Sequence, residues 1–135
     1  MTTLVVTAAV VEQNNTFLVT RRVKGTHLAG SWEFPGGKCE DGESLEECLR
    51  RELLEELGVG CRVGAEIFTV THEYEDRRVE LHFFACVFQG QPTPLLGQEM
   101  QWVERVRLRE LQFPPADADL IALLWKQALR TRDER

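Results

Sequence analysis

From Leu4 to Val11 the chain is almost continuously apolar and β-branched, the pattern of a strand buried on both faces. Gln13-Asn14-Asn15 interrupts it with a turn signal. Thr16 to Thr20 reads as the returning strand of a hairpin, with Arg21 and Arg22 at its end. Residues 25–42 hold five glycines and a proline and predict an ordered loop with a functional role. A helix is predicted from Leu45 to Leu57. Ser44 and Glu47 make an S-x-x-E capping box at its start, and Gly58 is its C-terminal cap. The pairs Glu47–Arg51 and Arg51–Glu55 are spaced for side-chain pairing along it.

Three further strands follow, at Ala65–Thr71, Val79–Phe88 and Gln101–Val106. In the middle one, Val79, Leu81, Phe83, Ala85 and Val87 alternate with Glu80, His82, Phe84, Cys86 and Phe88. The first half is amphipathic and the second is apolar on both faces, as in a sheet covered on both sides. Pro114-Pro115 break the chain. Asp117 or Asp119 then caps a last helix whose apolar side is Leu120, Ile121, Leu123, Leu124, Ala128 and Leu129. Strands, a helix, more strands and a final helix predict the α/β class, with a mixed sheet between helices in an α/β/α sandwich. Residues 1–130 make one domain, and 131–135 a frayed tail.

Composition narrows the partners. The 135 residues are 43% hydrophobic and 28% charged, a globular balance with enough apolar side chains for a core. No run approaches a membrane span, and Met1-Thr2-Thr3-Leu4 lacks a signal peptide's basic region, so a cytoplasmic protein without a membrane partner is expected. The net charge of −6 argues against a nucleic-acid polymer as partner. Cys39, Cys48, Cys61 and Cys86 show no C-x-x-C pair. Cys48 and Cys86 lie in apolar patterns as small core residues, and a structural disulfide is not expected in a reducing compartment.

The acidic excess is concentrated between Glu40 and Glu56. On the predicted helix Glu52, Glu55 and Glu56 are spaced i, i+3, i+4 and fall within roughly a third of the circumference. Leu49, Leu53 and Leu57 form the neighbouring stripe that packs on the sheet. The carboxylates therefore sit at the edge of the core, where each opposes ionisation of the others. A hard divalent cation such as Mg²⁺ resolves that conflict, since it takes carboxylate oxygens and leaves positions open for phosphates. A solvated, salt-bridged helix face is the alternative reading of three glutamates taken alone.

The surrounding segment separates the two. Gly37, Glu43, Arg51, Glu52, Leu53, Glu55, Glu56, Gly58 and Val59 match every fixed position of G-x5-E-x7-R-E-U-x-E-E-x-G-U, where U is a bulky aliphatic residue. The segment resembles the Nudix box. The resemblance implies the Nudix α/β/α sandwich and a Mg²⁺ ion, with Mn²⁺ as its substitute, on Glu52, Glu55, Glu56 and the backbone carbonyl of Gly36. Glu43 supports the loop–helix geometry, Arg51 orients the glutamates, and Lys38 is placed to meet phosphate. An exposed loop lysine is the alternative for Lys38.

Trp32-Glu33-Phe34-Pro35-Gly36-Gly37-Lys38 further resembles the W/L-E-F-P-G-G-K segment of MutT-type enzymes, which hydrolyse nucleoside triphosphates, some of them oxidised. By position, Arg22 and His27 approach the nucleotide, Glu33, Phe34, Pro35 and Gly36 line its pocket, and Arg77 reaches over it. Asp117 stands where MutT-type sequences carry asparagine, and the Pro-Ala-Asp version resembles the CTP pyrophosphohydrolase branch. An ionised Asp117 only accepts hydrogen bonds, which suits an amino-bearing base such as cytosine. A helix N-cap is its other reading. Relatives also carry a loop glutamate in E-G-Q-x-x-x-W. Here Leu96 holds that place and Glu99 is a displaced candidate.

The expected reaction is attack of water on the β-phosphorus of a (d)NTP, releasing a nucleoside monophosphate and pyrophosphate. Glu52 is the first candidate for the base and Glu99 the second. Hydrolysis of another X-linked nucleoside diphosphate and non-catalytic nucleotide binding are the competing readings. Monomer and homodimer both stay open.

Overall fold

The computed structural model describes residues 2–21 and 30–133. The strands are β1 (Thr2–Val10), β2 (Glu12–Gln13), β3 (Thr16–Arg21), β4 (Trp32–Glu33) and β5 (Gly36–Lys38). Helix α1 (Leu45–Leu57) comes next, then β6 (Cys61–Glu73), β7 (Arg77–Phe88) and β8 (Glu99–Glu104). Two 3₁₀ turns, Arg105–Glu110 and Pro115–Asp117, lead to α2 (Ala118–Asp133). The predicted helix α1 matches residue for residue. The expected frayed tail overlaps α2 at 131–133.

The main sheet has the order β5-β1-β7-β6. Strands β1 and β7 run parallel, while β5 and β6 are antiparallel to their neighbours, so the sheet is mixed. A smaller sheet is built on β3, which pairs with β2, β4 and β8. The hairpin turn between β2 and β3 forms where predicted. Asn14 and Asn15 both take positive φ, 52° and 61°, which asparagine tolerates and which matches the twist of the flanking strands.

The double-faced apolar pattern of β1 and β7 has the consequence read from it. Ala8, Val10, Leu81 and Phe83 face one core, closed by Leu120, Ile121 and Leu124 of α2. Ala9, Val11, Phe84, Cys86 and Phe88 face the other, closed by Leu49, Leu53 and Leu57 of α1. Each face thus carries a helix, and α1 is held to the sheet by three leucines with no solvent exposure.

Two strand boundaries depart from expectation. Strand β6 is longer than Ala65–Thr71 and carries register shifts around Glu66, which blur its alternation. Strand β8 stops at Glu104 because Arg105 turns inward. Its guanidinium meets Glu12 Oε2 at 2.7 Å and Gln127 Oε1 at 3.1 Å, and covers the Phe17 ring at 4.7 Å. This ties the hairpin to α2. Among the described residues no helix is long and apolar enough to cross a membrane.

Burial on α1 alternates sharply between neighbours, and stability follows it. Leu53→Ala, at 0% exposure, is expected to cost about 2–5 kcal/mol in chemical denaturation. Leu54→Ala, at 59% exposure, stays within about 0.5 kcal/mol. Equal losses would contradict this packing of α1.

Candidate active site

The glycine loop is laid against β1 before it reaches α1. The Pro35 carbonyl accepts the Ala9 N–H at 2.7 Å, and the Cys39 N–H donates to the Val5 carbonyl at 2.8 Å. Between them β5 pairs in the register Val6↔Lys38, Thr7↔Gly37 and Ala8↔Gly36. A Cβ on Gly36 would overlap the Thr7 carbonyl, so only glycine fits there, and a Cβ on Gly37 would displace the Glu52 carboxylate. The loop therefore passes as close to α1 as backbone can.

The capping box is complete: Ser44 Oγ accepts the Glu47 N–H at 3.1 Å and Glu47 Oε1 accepts the Ser44 N–H at 2.9 Å. Glu47 is thereby committed to the cap, and the anticipated Glu47–Arg51 contact gives way to an Arg50–Glu46 pair at 3.5 Å. At the far end Gly58 closes α1 with φ 62° and donates to the Leu54 carbonyl.

Arg51 is the hub of the site. Its Nε and Nη2 grip both Glu43 oxygens at 2.7 and 2.9 Å. Nη1 reaches Glu52 Oε1 at 3.0 Å and Glu55 Oε2 at 3.3 Å, and Nη2 also donates to the Lys38 carbonyl at 3.0 Å. One side chain thus joins loop, helix and two of the three glutamates. Glu43 in turn accepts the Glu40 N–H at 2.8 Å. The Arg51 hydrogen bonds, then that backbone N–H, hold the Glu43 carboxyl down at about 2.

On the acidic face the crowding is felt at Glu56. Burial first, then the charges of Glu52 and Glu33, a hydrogen bond to Glu52 and the charge of Glu55, push the Glu56 carboxyl up to about 8. Near neutral pH Glu56 therefore holds its proton. Glu55 is different: its side chain is 58% exposed and turned toward Arg51. Among the described residues no three His, Cys, Asp or Glu side chains already converge as a group that could hold an ion. The chemistry of the donors nonetheless fits a hard divalent cation. The charge of Glu52 helps Glu56 retain a proton, and Gly36 lines the same cleft.

These groups open on a cleft of about 440 Å³. Glu33, Phe34, Gly36, Lys38, Glu52, Glu56, Arg77 and Asp117, all singled out in the sequence, line it. Phe34 is fixed by stacking on Phe113 at 5.5 Å and meeting Phe83 edge-on at 6.0 Å. Asp117 is buried at 4% exposure, within the second 3₁₀ turn. Arg77 Nε is the buried side-chain nitrogen or oxygen that lacks a hydrogen-bond partner among the described residues.

Other expected residues lie elsewhere. Glu99 is 59% exposed and pairs with Arg21 at 3.6 Å rather than joining the cleft, because its strand pairs there with Arg21. Pro35 is fully buried and anchors the loop to β1 instead of lining the cleft. Arg22 and His27 fall outside the described residues. Tyr74 lines the cleft and was missed. The signal was a tyrosine in the tight connection to Arg77, whose carbonyl accepts the Tyr74 N–H at 2.7 Å. The apolar floor from Leu4, Val6, Val79 and Leu81 was read only as strand core.

The cysteines also correct the expectation of no disulfide. Cys39 and Cys48 are paired, with Cα atoms 5.2 Å apart, because the loop returns over the start of α1. Cys61 and Cys86 are free and buried, as core packing suggested for Cys86.

Comparison with known proteins agrees with this geometry. The family model described as the NUDIX domain matches residues 6–123. The chain is 37% identical over 113 residues to an 8-oxo-dGTP diphosphatase of Escherichia coli, covering 83% of this chain and 88% of that one. It is 36% identical over 126 residues to the CTP pyrophosphohydrolase of the same organism, covering 93% and 92%. The solution structure of the E. coli ORF135 protein superposes with a TM-score of 0.82 at 33% identity, covering 96% of this chain and 92% of that one.

The proton held by Glu56 gives a direct test. At pH 7, Mg²⁺ binding is expected to release close to one proton per ion, read by calorimetry in two buffers of different ionisation enthalpy. A binding heat independent of buffer would show that Glu56 is already ionised. The sign on stability follows. A carboxyl raised from 4.5 to about 8 in the folded chain stabilises it fully below pH 4.5. That contribution is lost as pH rises through about 8, and Mg²⁺ should restore it.

Proposed function

The chain belongs to the NUDIX hydrolase family and is a MutT-like pyrophosphohydrolase acting on acid anhydrides, and from that premise we propose that it is a Mg²⁺-dependent enzyme cleaving nucleoside triphosphates to a monophosphate and pyrophosphate. The observation that carries this is the crowding of Glu52 and Glu56 in a cleft that also holds Lys38 and Arg77. Cationic side chains and a proton-retaining carboxyl lining one cleft suit a polyphosphate bound with a divalent ion. Glu52, Glu56 and the Gly36 carbonyl are the proposed ligands, joined by Glu55 once it leaves Arg51. Bound there, Mg²⁺ supplies charge neutralisation on the phosphate oxygens.

The chain's own groups do the rest. Lys38 and Arg77 hold the triphosphate and nucleotide against the loop, with the unpartnered Arg77 Nε supporting that role. Glu52 takes the proton from a water attacking the β-phosphorus, and the monophosphate leaves. Arg51 touches no substrate in this scheme. It fixes the Glu52 carboxylate from behind. Glu99, tied to Arg21, is not needed as base.

For the base, the relatives named above act on an oxidised guanine nucleotide and on CTP. Asp117, buried in the cleft, favours a base that donates from an exocyclic amine, such as the cytosine of CTP or dCTP. Removal of damaged nucleotides from a cytoplasmic pool belongs to the same proposal. The net charge of −6 supports a small-molecule substrate over a polymer.

Two variants test the reading by pyrophosphate release from a panel of NTPs, dNTPs and oxidised dNTPs with Mg²⁺. Glu56→Gln should lower kcat by about two orders of magnitude or more while the unfolding midpoint holds. Full activity would remove Glu56 from the metal site. Asp117→Asn should move preference from cytosine toward guanine nucleotides. An unchanged profile would leave Asp117 a structural residue.

A further inference from the structure

Cys39 ends the glycine loop, and Cys48 lies in the first turns of α1. The chain between them carries Glu43, which anchors Arg51, and Ser44, which caps α1. A bridge between the two therefore closes a short ring around the supports of the acidic face. Cys39 is half-buried and its N–H is held by the Val5 carbonyl at 2.8 Å. Cys48 is fully buried, and its sulfur also has partners outside the bridge. Thr7 Oγ1 lies at 3.3 Å and the Gly37 carbonyl at 3.8 Å, where a free thiol can donate. Both the bridged and the reduced form of Cys48 are thus provided for, which a two-state element requires.

We propose that the Cys39–Cys48 pair is a thiol-responsive positioning element for the catalytic loop, locking Gly36–Lys38 against α1 when bridged and loosening it when reduced. The proposal rests on the hydrolase reading above. In the opening step a small thiolate attacks the Cys39 sulfur, the more exposed end. The bond to Cys48 breaks, and Cys48 leaves as a thiolate that takes a proton. A second small thiol attacks the mixed disulfide, releasing Cys39 as a thiol and a small disulfide. Two small thiols are oxidised and the protein bridge is reduced. The reverse exchange with a small disulfide closes it.

The effect is graded because Arg51 also holds the Lys38 carbonyl and Glu43, through hydrogen bonds that involve neither cysteine. Reduction therefore loosens the Gly36 side of the metal site without dismantling it. In a reducing cytoplasm the bridge stands open and closes under oxidative load, the usual behaviour of cytosolic disulfides.

The full chain is equilibrated with glutathione disulfide or with dithiothreitol, alkylated in denaturant and weighed. Two reactive thiols are expected in the first case and four in the second. Pyrophosphate release from CTP should need roughly tenfold more Mg²⁺ for half-saturation after reduction, with kcat at saturating Mg²⁺ changed less than about twofold. Cys39→Ser should match the reduced wild type in both buffers. Four thiols in both buffers, or one half-saturation value for both redox forms, overturns the proposal. If neither form releases pyrophosphate, the hydrolase reading has failed. The switch is then judged by whether the Mg²⁺ needed to raise the thermal midpoint differs between the two forms, and no difference overturns it.

Discussion

Like charges held together at the edge of a core are the constraint on which this molecule is organised. Three leucines fix α1 on the sheet, so Glu52 and Glu56 have no freedom to retreat into water together. In the free chain a proton kept on Glu56 relieves part of the repulsion. In the proposed enzyme that proton gives way to a divalent ion, and a polyphosphate brings the charge that such an ion needs. Packing on one side of a helix thus creates the chemistry on the other.

The loop that completes the site is built to the same tolerance. Gly36 and Gly37 allow the backbone to sit against Thr7 and Glu52, and Arg51 fastens that backbone by the Lys38 carbonyl. Glu43 neutralises the guanidinium from the rear, leaving Arg51 to order carboxylates without presenting a bare cation to substrate. The cleft also has a division of labour. Lys38, Glu52 and Glu56 come from β5 and α1 and Arg77 from the start of β7, while Val79, Leu81 and Phe34 supply apolar surface and Asp117 comes from the second 3₁₀ turn.

Much of this was legible in the residues. Local rules set α1, because capping, helical spacing and a left-handed glycine all act within a few residues. The two-sided burial of β1 followed from its unbroken apolar run and that of β7 from its apolar second half, and with them the layered fold. What escaped was long-range. The Cys39–Cys48 pairing depends on the loop folding back over α1, Tyr74 on the turn between β6 and β7, and the diversion of Glu99 on its pairing with Arg21. The spacing of Glu52, Glu55 and Glu56 placed them on one face. It could not say that Arg51 draws Glu55 outward while Glu56 turns in.

The central claim is that the α1 carboxylates exist to be bridged by a cation. Crystals grown with Mn²⁺ and a non-hydrolysable triphosphate test it through anomalous diffraction. A manganese peak bonded to Glu52, Glu56 and the Gly36 carbonyl, with Glu55 released from Arg51, is the predicted result. Bound triphosphate with no metal there, and Glu55 still paired with Arg51, would contradict it.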